Sequence, residues 1–421
     1  MMNFVPIVGI IAEYHPFHNG HFYQMRRALA ASGARYCVVL LSGSFVQRGM
    51  PAMYSTHLRA EAALRCGADA VFELPSPFSS AAAGDYALCG VRMMSALGIP
   101  LLSCGTEDAD ADELMALAGS ICQDSPVFRE SIREALRNGL SYPEARLHAA
   151  GKDLLSKGAS PPRLARMREL LSRPNNILAF EYAAAIQREQ LPLRMLTVGR
   201  KGSGHHDPAL NGTLASATAI RSHILLHRDP GLLKPVMPKQ SLQLIQHSGF
   251  LSPDCMCGAL RLRILQMLYE GACLSDYADI SPDLADRLAS FSFRYRTYED
   301  MISALKTKQY TYTRIARGLT HLLLGIKKRD MQLWKATSPA PYARLLGFRK
   351  ESEELLTLLK QSASIPILSK AAKAGEILRD SPAAYELFRS EVHATAVWNA
   401  LCFEQNLEAP ESLYRQQLIR I

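Results

Sequence analysis

The chain has 421 residues, 48% apolar and 21% charged, with a net charge of +9, which excludes a disordered chain and permits an RNA partner without establishing one. That length predicts two domains rather than one core. No apolar run approaches the roughly 18 residues of a membrane span, MMNFVPIVG lacks the basic region of a secretory leader, and nine scattered cysteines read as reduced cytoplasmic thiols.

In chain order, residues 5–11 form a β-rich apolar run and predict a buried parallel strand. A short turn over 13–19 follows, with Pro16 fixing one backbone angle. Gly20 opens a helix that runs through Tyr23, Met25 and Leu29 and stops near Gly33. His18 and His21 bracket Asn19-Gly20 at the helix start. Free N–H groups and the positive end of the helix dipole make such a position an anion site. Two imidazoles there suit charge developing on a phosphate, and Gly20 admits close approach of a nucleoside. The alternatives are a surface turn with incidental histidines, or a zinc site, for which no third ligand stands nearby.

Residues 36–41 predict a second strand, 42–49 a glycine-flanked loop, 57–66 a helix capped by Thr56, 70–74 a third strand and 84–97 another helix. Residues 101–104 predict a fourth strand, with Gly105-Thr106-Glu107 at its carboxyl end. This alternation predicts an α/β fold with a doubly wound, Rossmann-like parallel sheet. Its ligands belong at the carboxyl ends of the strands. Gln47 and Arg48 in the loop suit a carboxylate or an RNA phosphate. From about 109 to 190 the pattern is helical, basic and broken by prolines, and reads as an insertion. Within it, Asn175 and Asn176 at a helix start suit ribose or base contacts.

Residues 194–198 predict a short strand. Gly199-Arg200-Lys201-Gly202 after it should face the crevice, with Arg200 toward a triphosphate. His205-His206-Asp207 reads as loop rather than metal site. The hydroxyls of Ser216 and Thr218 can cap a helix and meet a phosphate, and Arg221, one turn in, can reach the same anion. Asp229-Pro230-Gly231 then marks a boundary between domains of 1–230 and 231–421. Beyond it strand-like runs disappear, and patterns such as 312–324, 351–360, 367–377 and 381–400 predict an all-helical C-terminal domain. From Lys306 to Arg329 there are seven basic residues and no acidic one: Lys306, Lys308, Arg314, Arg317, Lys327, Lys328 and Arg329. Tyr310 and Tyr312 interleave with them. Such a stretch can track a phosphate backbone while tyrosines stack on bases; the bland alternative is a solvated helix face.

VGIIAEYHPFHNGH resembles the HxGH signature of the nucleotidylyl-transferase superfamily. The ordered set AEYHPFHNGH, SGSFVQRG, RPNNILAFEY, SATAIR and KTKQYTYTR, followed by PYARLLGF, is similar to the bacterial tRNA(Met) cytidine acetate ligase family, from residue 7 to about 348. His15 stands where that family usually has asparagine, and Ser44 and Met50 also depart from its pattern. The resemblance implies that acetate attacks ATP to give acetyl-adenylate, whose acetyl group passes to N4 of the wobble cytidine of elongator tRNA(Met). It implies catalytic roles for His18, His21 and Arg221. ATP contacts are implied at Val8, Gly9, Ile10, Ile11, Ala12, Glu13, Tyr14, His15, Pro16 and Phe17. Further ones are implied at Asn19, Gly20, Gly105, Asn175, Asn176, Arg200, Lys201, Ser216 and Thr218. Mg²⁺ bridging the phosphates, RNA contacts along the basic stretch, a cytoplasmic location, and neither a protein-held metal nor a stable protein partner complete the expectation. Three rivals are a CoA- or NAD-pathway adenylyltransferase, which shares HxGH in a smaller protein, a non-enzymatic RNA-binding protein, and a structural adaptor, which leaves the histidine pair unexplained.

Overall fold

The computed structural model describes residues 7–121, 125–200, 212–290 and 295–421. Its strands are β1 (Ile7–Ala12), β2 (Tyr36–Ser42), β3 (Phe45–Val46), β4 (Met50–Pro51), β5 (Ala70–Leu74), β6 (Leu101–Thr106), β7 (Arg194–Gly199), β8 (Ala343–Phe348), β9 (Ile367–Leu368) and β10 (Ile419–Arg420). β3 and β4 form a small antiparallel hairpin. The others build one sheet in the order β10-β8-β5-β2-β1-β6-β7, with β9 beside β8. β1, β2, β5, β6 and β7 are mutually parallel. The chain steps outward from β1 to β2 and β5, then returns to the far side of β1 for β6 and β7. The switch point between β1 and β6 opens a crevice at their carboxyl ends, as the doubly wound expectation requires.

Seven helices frame that crevice: α1 (Asn19–Ser32), α2 (Thr56–Arg65), α3 (Ala83–Ala96), α4 (Pro174–Arg188), α5 (Ala217–His227), α6 (Tyr312–Leu324) and α7 (Pro382–Glu404). Strand side chains alternate between two apolar layers. Val8, Ile10, Val39 and Leu41 meet Met25 and Ala28 of α1 and Ala60 and Ala63 of α2. Val38, Leu40 and Phe72 face the other way, toward Cys89 and Met93 of α3. Gly9 has no side chain because α3 crosses close: a Cβ there would lie 2.6 Å from Met94 Sδ. Gly33 ends α1 at φ 64, the left-handed conformation glycine adopts without strain. Ser55, not the expected Thr56, caps α2, because the Thr56 hydroxyl accepts a hydrogen bond from Arg59 instead.

The C-terminal half is mostly helical, as expected, but two details are corrected. Strand β8 returns to the sheet antiparallel to β5, and β9 and β10 flank it. Its six residues are all buried, so they show no alternation to betray a strand. The stretch expected to be a helix over 367–377 holds β9 and short helical turns. The division at 230 consequently cuts through one sheet. The apolar cluster is continuous from Val38 and Phe72 through Leu319 to Trp398. Among the described residues no helix is long and apolar enough to cross a membrane.

Candidate active site

His18 is the N-cap of α1. The Gly20 N–H donates to His18 Nδ1 at 3.0 Å, and the His18 N–H donates to His21 Nδ1 at 3.3 Å. This is a capping box made of two imidazoles. Since each Nδ1 accepts, each neutral ring carries its proton on Nε2. The ring centroids stand 3.8 Å apart, so two Nε2–H donors are held side by side at the positive end of a helix. Burial first, then Arg200 and Arg221, push His18 down to about 3. Burial, His18, Arg200 and Arg221 together hold His21 well below its usual range. At neutral pH both rings therefore donate hydrogen bonds without carrying charge. Gly20 serves this cap: a Cβ there would lie 2.8 Å from His18 Cε1, so the glycine makes room for the imidazole.

The turn between β1 and α1 is held from within. His15 Nε2 accepts from the Met53 N–H at 2.7 Å. The Asn19 side chain donates to the carbonyls of Thr213 and Pro235 at 2.9 and 3.0 Å. Tyr14, His15, Pro16 and Phe17 are buried. Val8, Gly9 and Ile10 lie in mid-strand, paired on both sides. Their side chains are committed to the core and the turn, so an ATP contact at these residues would use the backbone, and they position the residues beside them. Ile11, Ala12 and Glu13, at the strand's carboxyl end, remain partly exposed.

Arg59 escaped the sequence reading, since nothing distinguishes it from any basic residue on an amphipathic helix. It is 1% exposed, and its guanidinium N–H groups reach Tyr54 O, Glu13 O, Ser42 O, Gly43 O and Thr56 Oγ1. One guanidinium thus ties the end of β1 to the loop after β2.

The other strand ends bring charge to the same crevice. Glu107 follows β6 and accepts from the backbone N–H groups of Asn175 and Asn176 at 3.2 and 2.9 Å. That carboxylate closes the N-terminus of α4. Asn176 is fully buried, its amide accepting from Glu107 N–H and donating to Asp108 Oδ1. Asn175 Oδ1 accepts from Arg200 at 3.3 Å. Arg200 also lies over Gly105, whose Cβ would meet its Cγ at 3.7 Å. Ser216 caps α5 through the Ala219 N–H at 3.0 Å. Arg221 donates to His15 O at 2.9 Å and Thr218 Oγ1 at 3.1 Å. Burial, then Arg48, push Arg221 down to about 10, while Glu13 opposes them. His18, His21, Arg200 and Arg221 are therefore gathered around one basic crevice. Lys201 and His205-His206-Asp207 lie outside the described residues.

The basic stretch divides. Lys306, Lys308, Lys328 and Arg329 are exposed, and Tyr312 and Arg314 are half-buried. Tyr310 is buried with its hydroxyl 2.7 Å from Ser281 Oγ, and Arg317 forms a two-point ion pair with Asp279 at 3.0 and 3.1 Å. Lys327 sits 5.6 Å over the Tyr277 ring. Tyr310, Arg317 and Lys327 are thus engaged within the fold. The α6 helix lies against the β3–β4 turn: Gly49, at φ 74, has no room for a Cβ against the backbone of Ala316 and Arg317.

The HIGH Nucleotidyl Transferase family model matches residues 5–412. Among relatives, the tRNA(Met) cytidine acetate ligase of Acetivibrio thermocellus is 31% identical over 86% of this chain and 88% of its own. The protein of that name from Thermoanaerobacter pseudethanolicus is also 31% identical, over 93% and 94%. The crystal structure of Thermotoga maritima TmcAL bound with alpha-thio ATP is similar with a TM-score of 0.88 at 25% identity, over 99% of this chain and 100% of that one.

Proposed function

This chain belongs to the HIGH nucleotidyl transferase family, and on that premise we propose that it joins acetate to a cytidine of tRNA(Met), as its relatives' names state of them, with ATP supplying the activation. In the first step a carboxylate oxygen of acetate attacks the α-phosphorus of ATP. The bond to the bridging oxygen breaks and pyrophosphate leaves with the electron pair. The Nε2–H groups of His18 and His21 donate to the α-phosphate oxygens as charge builds on them. Arg221 and Arg200 neutralise the triphosphate. Neutral imidazoles suit this task, because they need no proton transfer to stabilise the charge.

In the second step N4 of the wobble cytidine of elongator tRNA(Met) attacks the acetyl carbonyl, and AMP leaves. That amine is delocalised into its ring and is a weak nucleophile, so the acyl group must first be activated. Mg²⁺, when bound, would neutralise charge on the triphosphate beside Arg200 and Arg221. Lys306 and Lys308 are exposed cations for the RNA backbone, joined at the far end of the stretch by Lys328, which donates to Ser275 O at 2.6 Å, and Arg329, 3.5 Å from Asp330. The described cysteines are free thiols, which suits a cytoplasmic enzyme.

The observation that carries this reading is the double-imidazole capping box facing Arg200 and Arg221. The test is mass spectrometry of tRNA(Met) nucleosides after incubation with ATP and acetate. N4-acetylcytidine is expected only when both are present; tRNA binding with no acetylated product refutes the proposal.

A further inference from the structure

The loop after β2 is tied down along its length. The carbonyls of Ser42 and Gly43 are held by Arg59, that of Phe45 by the Ser79 hydroxyl at 2.6 Å, and that of Gly49 by the Tyr298 hydroxyl at 2.8 Å. Ser44 N–H donates to Ser76 Oγ at 3.1 Å, and the Ser44 and Thr395 hydroxyls stand 3.2 Å apart. At its tip, Gly49 N–H donates to Val46 O at 2.9 Å. This closes a β-turn whose two corner residues are Gln47 and Arg48. Such clamping is more than a solvated loop requires, and it fixes Gln47 and Arg48 on a turn anchored to the end of β1.

The Gln47 N–H donates to Glu13 Oε1 at 2.9 Å, which fixes the turn against the end of β1. Gln47 Nε2 is a buried donor with no hydrogen-bond partner among the described residues. A buried donor without an acceptor is costly and is relieved by a bound acceptor. Arg48 acts on Arg221 as a like charge, and both Arg48 and Arg221 act on His15. Arg221 in turn acts on His18 and His21. It therefore lies between the phosphate side of the crevice and the turn. Arg48 and Arg221 are thus two guanidiniums within mutual electrostatic reach, and Glu13 acts on Arg221 in the opposite sense.

We propose that the Val46–Gly49 turn is the seat of the small carboxylate substrate, with Gln47 and Arg48 as its ligands and Arg221 shared with the α-phosphate. The amide N–H₂ of Gln47 donates to one carboxylate oxygen, and the guanidinium of Arg48 neutralises the anion. A carboxylate so placed stands next to the phosphorus it attacks, and the shared Arg221 joins the two subsites. The inference rests on the ligase reading above. An RNA phosphate is the less favoured occupant, because the Gln47 donor is buried behind the turn rather than offered on the surface.

The test is acetate-dependent pyrophosphate release in the absence of tRNA, measured on the full chain and on Gln47→Glu and Arg48→Gln. Removing a hydrogen bond to a charged ligand predicts an acetate KM raised roughly 10–100-fold, with the KM for ATP unchanged. Arg48→Lys keeps the charge, gives a smaller rise, and carries the test should Arg48→Gln fail to fold. An unchanged acetate KM in soluble, folded variants overturns the seat, as does an unchanged acetate KM with weakened tRNA binding, which would assign the turn to RNA. Loss of acetate-dependent release in the parent protein itself would instead overturn the ligase reading, and the seat with it.

Discussion

Arg344 and Glu73 face each other across the antiparallel pair β5–β8, joined by Nε–Oε2 at 2.5 Å and a second guanidinium hydrogen bond to Oε1 at 2.8 Å, both side chains almost wholly buried. A cross-strand pair of opposite charge inside a sheet is stable only while both members are present. Arg344→Ala strands a buried carboxylate. We expect it to lower the unfolding free energy by about 3–5 kcal/mol, measured by urea denaturation, with Arg344→Met/Glu73→Leu recovering much of that stability.

Glu391 of α7 lies beside that pair and accepts from the Ser76 N–H and hydroxyl. Burial, then the charge of Glu73, push its carboxyl up to about 8 from an ordinary 4.5. The folded protein thus holds a proton there that the unfolded chain releases. The stabilisation is complete below about pH 4.5 and is lost as pH rises toward 8. Glu391→Gln mimics the protonated form. It should retain stability at pH 6 and flatten the decline between about pH 6 and 8.5, read from urea midpoints.

The imidazole pair has the opposite linkage. His18 falls from 6.5 to about 3 on folding, so its contribution is full above 6.5 and lost as pH falls through that window. Acetate-dependent pyrophosphate release should show no imidazole titration between about pH 6.5 and 8. His21→Ala removes one Nε2–H donor and should slow release roughly 10²–10³-fold while largely sparing tRNA affinity in a filter-binding assay. Unchanged turnover would refute its assigned role.

Lys306 and Lys308 are exposed at the start of the basic stretch, whereas Arg317 is locked to Asp279. Neutralising the two lysines should weaken tRNA binding and shrink its salt dependence by about one logarithmic unit of slope for each phosphate no longer neutralised. Arg317→Gln should instead lower the melting temperature, because it leaves Asp279 unpaired.

The parallel strands β1, β2, β5, β6 and β7 and the histidine pair were legible because each leaves a local mark. Parallel strands buried on both faces read as continuous apolar runs, and a histidine before a glycine at a helix start announces a cap. Strand β8 was not legible, since its identity depends on a partner far away in the chain. Asn176 and Tyr310 look like ligands in isolation. Only the fold shows that they also bond Glu107 and Ser281. Arg59 is the reverse case: its acceptors come from loops that converge only in three dimensions.

The Glu73–Arg344 pairing spans 271 residues. While the ribosome elongates at about 5–20 residues per second, the β5 edge stays uncovered for tens of seconds after it emerges. An open apolar strand edge invites pairing with neighbouring nascent chains. Folding in the cell thus depends on something shielding that edge until β8 arrives, which makes the early translation product a natural client for a chaperone.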